Sequence, residues 1–99
     1  MFGKDLMAKL QQMQTQAAET KEKLEKITVQ GEAGGNLILV DMNGNRRLKK
    51  LTINCDLGNM EKEDLEDLLT VALNRAIEAA DKVNESEMAK AAQGFLPGM

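Results

Sequence analysis

Residues 27–55 read ITVQGEAGGNLILVDMNGNRRLKKLTINC, and this stretch decides the fold. From Ile27 the apolar residues recur at every second position, the spacing that sends side chains to alternate faces of a strand. Ile27 and Val29 open a first strand that ends in Gly31-Glu32-Ala33-Gly34-Gly35-Asn36, where the glycines permit a turn with positive φ. Leu37 to Met42 is a second strand, with Ile38, Val40 and Met42 on one face and Leu37, Leu39 and Asp41 on the other. Leu39 is the unexpected residue, because a sheet with one wet face favours a polar group there. Asn43-Gly44-Asn45 is a strong hairpin signal. Leu48 to Cys55 makes a third strand, with Leu51 and Ile53 facing the core.

On either side of this stretch the period is helical. Leu6, Leu10, Met13, Ala17, Thr20, Leu24 and Ile27 alternate in steps of four and three, which keeps one stripe on one side of a helix. A helix from Phe2 to Lys26 would run for about 35–40 Å, more than a small sheet can cover, so its free end asks for a partner. Its surface holds Gln11, Gln12, Gln14 and Gln16, then Glu19–Lys23 and Glu22–Lys26 at i,i+4, pairs that can neutralise each other. Beyond Gly58, Asn59 is a candidate N-cap, and Glu61, Glu63, Asp64, Glu66 and Asp67 suit the positive end of a second helix. That helix carries Leu65, Leu68, Leu69, Ala72, Leu73, Ala76, Ile77, Ala80 and Val83, an apolar arc wider than one sheet contact needs. Asn84-Glu85-Ser86 is expected to interrupt it, leaving a short final helix with Met88, Ala91 and Ala92 and a mobile tail over 94–99. The expected class is α+β in a single domain, 1–99, ordered helix, three-stranded antiparallel sheet, helix and short final helix.

Composition narrows the function. The chain has no histidine, so it lacks the commonest general base, metal ligand and pH switch. The single Cys55 has no partner for an internal disulfide, and at a strand end without histidine it reads as a packing residue rather than a nucleophile. The acids of residues 61–67 lack the alternating ligands and central glycine of a calcium loop, and Gly31, Gly34 and Gly35 match no phosphate-binding loop. Neither a catalytic residue nor a cofactor or metal site is expected. With no long apolar run and no signal-peptide core, the expectation is a soluble intracellular protein.

Net charge is −3, but it is unevenly spread. Nine basic and six acidic residues precede Asp56, and four basic and ten acidic residues lie from Asp56 on. Arg46-Arg47-Leu48-Lys49-Lys50 places four cations within five residues at the hairpin. Such a cluster can bind phosphates, or it can protect a sheet edge from aggregation, and both readings stay open. Without interleaved aromatics it favours a duplex backbone over stacked single strands, with weak sequence specificity.

The chain also resembles the YbaB/EbfC family of bacterial nucleoid-associated proteins. The resemblance runs in order through Met1-Phe2-Gly3-Lys4, Leu10-Gln11-Gln12-Met13-Gln14 and Val29-Gln30-Gly31-Glu32-Ala33-Gly34-Gly35. It continues through Met42-Asn43-Gly44, Lys49-Lys50-Leu51-Thr52-Ile53, Leu65-Glu66-Asp67-Leu68-Leu69, Ala72-Leu73-Asn74, Lys90 and Leu96-Pro97-Gly98. It implies an α–β–β–β–α fold with a further C-terminal helix, and a homodimer whose N-terminal helices project like tweezer arms. It also implies DNA binding in the nucleoid, with an effect on gene expression or nucleoid organisation. DNA contacts would fall on Lys21, Lys23 and Lys26, with Lys4 and Lys9 behind them. Arg46, Arg47, Lys49 and Lys50 join the candidates from clustering alone. Leu39, Leu65, Leu69 and Leu73 are the candidate dimer-interface residues. The glutamates between the helix-one lysines weaken a phosphate-binding face. The alternative is a scaffold that docks a DNA repair or replication protein and binds little DNA itself.

Overall fold

The computed structural model describes residues 2–93. Helix α1 spans Phe2–Lys26, strands β1, β2 and β3 span Thr28–Ala33, Ile38–Asn43 and Leu48–Ile53, and helix α2 spans Lys62–Gln93. The strands form one antiparallel sheet in the order β1-β2-β3. Several expected boundaries shift: β2 starts and ends one residue later than expected, and β3 ends at Ile53 rather than Cys55. Gly31 lies inside β1 rather than in its turn, and the turn is made by Gly34, Gly35 and Asn36, all with positive φ. Asn59 does not cap α2; it closes a 3-10 turn over Leu57–Asn59, capped by Asp56, whose carboxylate accepts from the Gly58 N–H and the Asn59 amide.

The short final helix does not separate. α2 continues for 32 residues through Asn84-Glu85-Ser86, giving α–β–β–β–α. Asn and Ser cost only about 0.5 kcal/mol each in a helix interior. Here the helical course gives Asn84 and Glu87 partners outside the helix: Asn84 donates to the Gly44 carbonyl at 3.1 Å, and Glu87 meets Lys23 at 2.9 Å. The tail expected at 94–99 lies outside the described residues.

Register assigns the faces. Val29, Gly31 and Ala33 of β1 pair with Met42, Val40 and Ile38 of β2, which in turn face Leu48, Leu51 and Ile53 of β3. A bulge between Asp41 and Met42 keeps Leu48 on this side. α2 packs across β1 and β2 through Ala72, Ala76 and Ala80, all fully buried with Ile38 and Val40. Steps of four keep these alanines on one helix face. Their small size, with the bare Gly31 beneath, lets the helix backbone lie directly on the sheet. A Cβ on Gly31 would stand 2.3 Å from the Ala72 carbonyl oxygen and 2.4 Å from the Ala76 nitrogen.

This close seat leaves β3 outside the core. Leu51 and Ile53, expected to face the core, do point to the α2 side, yet they are 41% and 39% exposed because the helix does not reach them. With Leu48 they make an apolar strip beside the open edge of β3. The opposite face is wet, and Leu39 lies there half-buried with Gln30 and Asp41, which hydrogen-bond at 2.9 Å. Leu65, Leu69 and Leu73 of α2 pack partly against the core on the other side of the sheet, so the four candidate interface leucines do not share one face.

Among its described residues, α1 touches this body along its C-terminal half, from Gln16, which donates to the Ala91 carbonyl at 3.3 Å, to Lys26. Thr20 and Leu24 are buried, whereas Leu6, Leu10 and Met13 of the same stripe are about half exposed, at 59%, 49% and 50%. Replacing Gly31 with alanine should force the helix off the sheet and destabilise the fold by roughly 1–3 kcal/mol or more. A urea melt reads this directly, and a stability equal to that of the parent chain would contradict the close contact.

Candidate nucleic-acid interface

The β2–β3 turn is the junction of the molecule. Asn43 is buried, at 2% exposure, so its amide must find partners inside the fold. Its oxygen accepts from the backbone N–H of Asn45 at 2.9 Å and of Arg47 at 3.0 Å. Its nitrogen donates to the Glu25 carboxylate at 2.7 Å. Asn45 donates to the same carboxylate at 3.0 Å and to the Lys21 carbonyl at 2.9 Å. The Gly44 N–H donates to the Leu24 carbonyl at 2.9 Å, and a Cβ there would strike the Leu24 side chain at 2.7 Å. A hairpin signal in the sequence is thus a clasp on α1 as well.

The clasp sets the charges in place. Lys21, Lys23 and Lys26 occupy the last turns of α1 beside the turn, where Arg46 and Arg47 sit, and Lys49 and Lys50 follow on β3. Arg46 has φ +65, a left-handed conformation costly for a residue with a Cβ. Its guanidinium pairs with Asp81 of α2. Lys49 crosses the wet face to donate to the Thr28 hydroxyl at 2.9 Å, and Lys50 stands opposite Asp41 in the ladder. Lys21, Lys26, Arg47 and Lys50 form no ion pair among the described residues. Lys4 and Lys9 lie on the projecting part of α1, away from this group.

The expected pairs Glu19–Lys23 and Glu22–Lys26 do not close among the described residues. Lys23 turns instead to Glu87 at 2.9 Å, and Glu87 also meets Lys90 at 3.4 Å. The Lys23 hydrogen bond holds the Glu87 carboxyl below the usual carboxylate range; Lys90 adds to this and desolvation opposes it. Sequence reasoning missed Glu25, Asp81, Asn84 and Glu87, whose partners on other elements lie 18 to 64 residues away. The one available signal was the Asn-Gly-Asn turn itself, since a buried asparagine demands partners.

An open cleft of about 210 Å³ lies between the helices, lined by Gln16, Glu19, Thr20, Lys23, Glu87, Lys90 and Ala91. Its charged walls do not resemble the apolar pockets that bind small molecules. No group of three or more metal-ligating residues gathers among the described residues. Nor is any described helix long and apolar enough to cross a membrane.

The fold is a small α+β one that gathers cations of α1 and β3 around one turn. The chain belongs to the YbaB/EbfC DNA-binding family, whose model matches residues 2–95. It is 41% identical over 91 residues to a nucleoid-associated protein of Hahella chejuensis, covering 92% of this chain and 84% of that one. It is 37% identical over 92 residues to a nucleoid-associated protein of Chlorobium phaeovibrioides, covering 93% and 84%. Among solved structures it is similar to an uncharacterized protein of Helicobacter pylori, with a TM-score of 0.78 and 26% identity over 89% of this chain and 92% of that one.

The Glu87 contact predicts a pH dependence. A carboxyl with a lowered pKa in the fold stabilises it above its ordinary pKa and loses that contribution as pH falls through the folded value. The stability gap between the parent chain and Glu87→Gln should therefore be present at neutral pH and close below the usual carboxylate range. Urea melts at neutral and acid pH check this; a gap that persists in acid would contradict it.

Proposed function

We propose that this chain binds duplex DNA in the bacterial nucleoid, as a homodimer and with weak sequence specificity. The observation that carries the reading is the clasped turn, which brings lysines of α1 and the basic run at 46–50 together at one junction of a net-acidic chain. Phosphate oxygens suit these forked and point-charge donors. Aromatic residues are two in the whole chain, so base stacking is not the mode. Base edges would go largely unread, and any effect on gene expression or nucleoid organisation would come through backbone contacts.

Replacing Lys21, Arg47 and Lys50 together with alanine should weaken binding to a random duplex by tenfold or more at low salt. It should also flatten the log–log salt dependence by about 0.9 for each phosphate that is no longer neutralised. Lys21→Ala keeps the backbone carbonyl that Asn45 uses, so the clasp survives. Fluorescence anisotropy at several salt concentrations reads both quantities. Unchanged affinity would move the footprint to the projecting part of α1.

The homodimer is supported by the apolar strip of Leu48, Leu51 and Ile53, which a second copy seated on the open edge of β3 would cover. Sedimentation should give a species of twice 10.9 kDa at micromolar concentration, and Leu51→Asp should shift it to the monomer. A parent chain that sediments as a monomer would overturn this part of the proposal. The exposed Leu6, Met7, Leu10 and Met13 on α1 favour a second reading, a scaffold for a DNA repair or replication protein. Stoichiometric recovery of one protein after nuclease treatment, with no duplex binding by the purified chain, would favour it.

A further inference from the structure

Two cations of the candidate interface are already held by carboxylates. The Arg46 guanidinium pairs with Asp81, and the Lys23 ammonium with Glu87. Both acids belong to α2, and Asn84 stands between them with its amide on Gly44. Steps of three residues put Asp81, Asn84 and Glu87 on one seam of the helix. The seam therefore offers to the turn and to α1 the same anionic oxygen acceptors that a nucleic-acid backbone would offer. Lys21, Lys26, Arg47 and Lys50 carry no such partner among the described residues.

Resting on the DNA-binding reading above, we propose that Asp81 and Glu87 are intramolecular competitors of the DNA backbone. The free cations make the first contacts. A phosphate then takes Arg46 from Asp81, and another takes Lys23 from Glu87. The two acids thereby lower affinity and narrow the salt range in which the protein holds DNA. The geometry suits an exchange. Arg46 and Asp81 are each about two-fifths exposed, at 44% and 41%, and Lys23 is 60% exposed, so water and phosphate reach all three. The backbone at Arg46 is pinned by Asn43, which receives the N–H of Asn45 and Arg47. The guanidinium can therefore swing from carboxylate to phosphate by side-chain rotation, leaving the clasp closed. No covalent bond is made or broken in the exchange.

The test is anisotropy of a labelled random duplex with the full chain at low salt, comparing the parent with Asp81→Asn, Glu87→Gln and Glu63→Gln. Glu63 lies in the first turn of α2, about 27 Å along the helix from Asp81, and its change alters net charge equally without freeing a cation. Asp81→Asn should bind about two- to fivefold more tightly than Glu63→Gln, the range set by exposed ion pairs. Glu87→Gln, whose parent carboxylate is 12% exposed and also holds Lys90, should tighten binding beyond Glu63→Gln as well. Arg46→Ala should also lose more affinity when made in the Asp81→Asn chain than in the parent, with circular dichroism showing each variant folded. Equal tightening by Glu63→Gln would reduce the effect to net charge and overturn the competition. A cost of Arg46→Ala that does not change with Asp81→Asn would do so as well. If the parent and every variant fail to bind at low salt, the DNA-binding reading itself has failed; if the parent binds and the variants match the control, only the competition has.

Discussion

The buried amide of Asn43 is the constraint on which the arrangement depends. A polar group with no access to water must be paired, and leaving one unpaired costs about 1–3 kcal/mol. Asn43 meets the demand by receiving the N–H groups of its own turn and donating to Glu25. Gly44 then sits flat against Leu24, and Asn84 closes the turn from α2. Among the described residues of α1 only Thr20 and Leu24 are buried, too little apolar area to fix its direction. A polar knot at one turn does that instead, and the same knot sets the α1 lysines beside the hairpin arginines.

A second constraint works from the opposite side. Gly31 and the alanines at 72, 76 and 80 bring α2 so close to β1 and β2 that the helix cannot also cover β3. The core is then small and built of small residues, and the apolar side of β3 is left for another surface. Charge follows the same division. The basic run of β3 stands at the turn end, while the acids at the start of α2 face the positive end of that helix.

Much of this was legible in the sequence, because the local signals and the final structure agree. The heptad stripe marked α1 to within its observed ends, and the alternation of Ile38, Val40 and Met42 marked the buried face of β2. What was not legible depended on distant partners. Gly31 reads as a turn residue until α2 is laid across it. Asn84-Glu85-Ser86 reads as a break until Gly44 and Lys23 supply partners. The i,i+4 glutamate–lysine pairs Glu19–Lys23 and Glu22–Lys26 of α1 looked self-sufficient, yet Lys23 is used by α2. Of the candidate site, the residue types and the cluster at 46–50 could be read. Which cations are free and which are held could not, since Asp81 and Glu87 lie 35 and 64 residues from the cations they hold.

The central claim is that DNA meets this protein at the clasped turn. An amide chemical-shift titration of the full chain with a random duplex tests it most directly. The account predicts that the largest shifts fall on residues 21–26 and 44–50 and fade as salt is raised. Shifts confined to the projecting residues 3–13 of α1, or to the acidic start of α2, would contradict it.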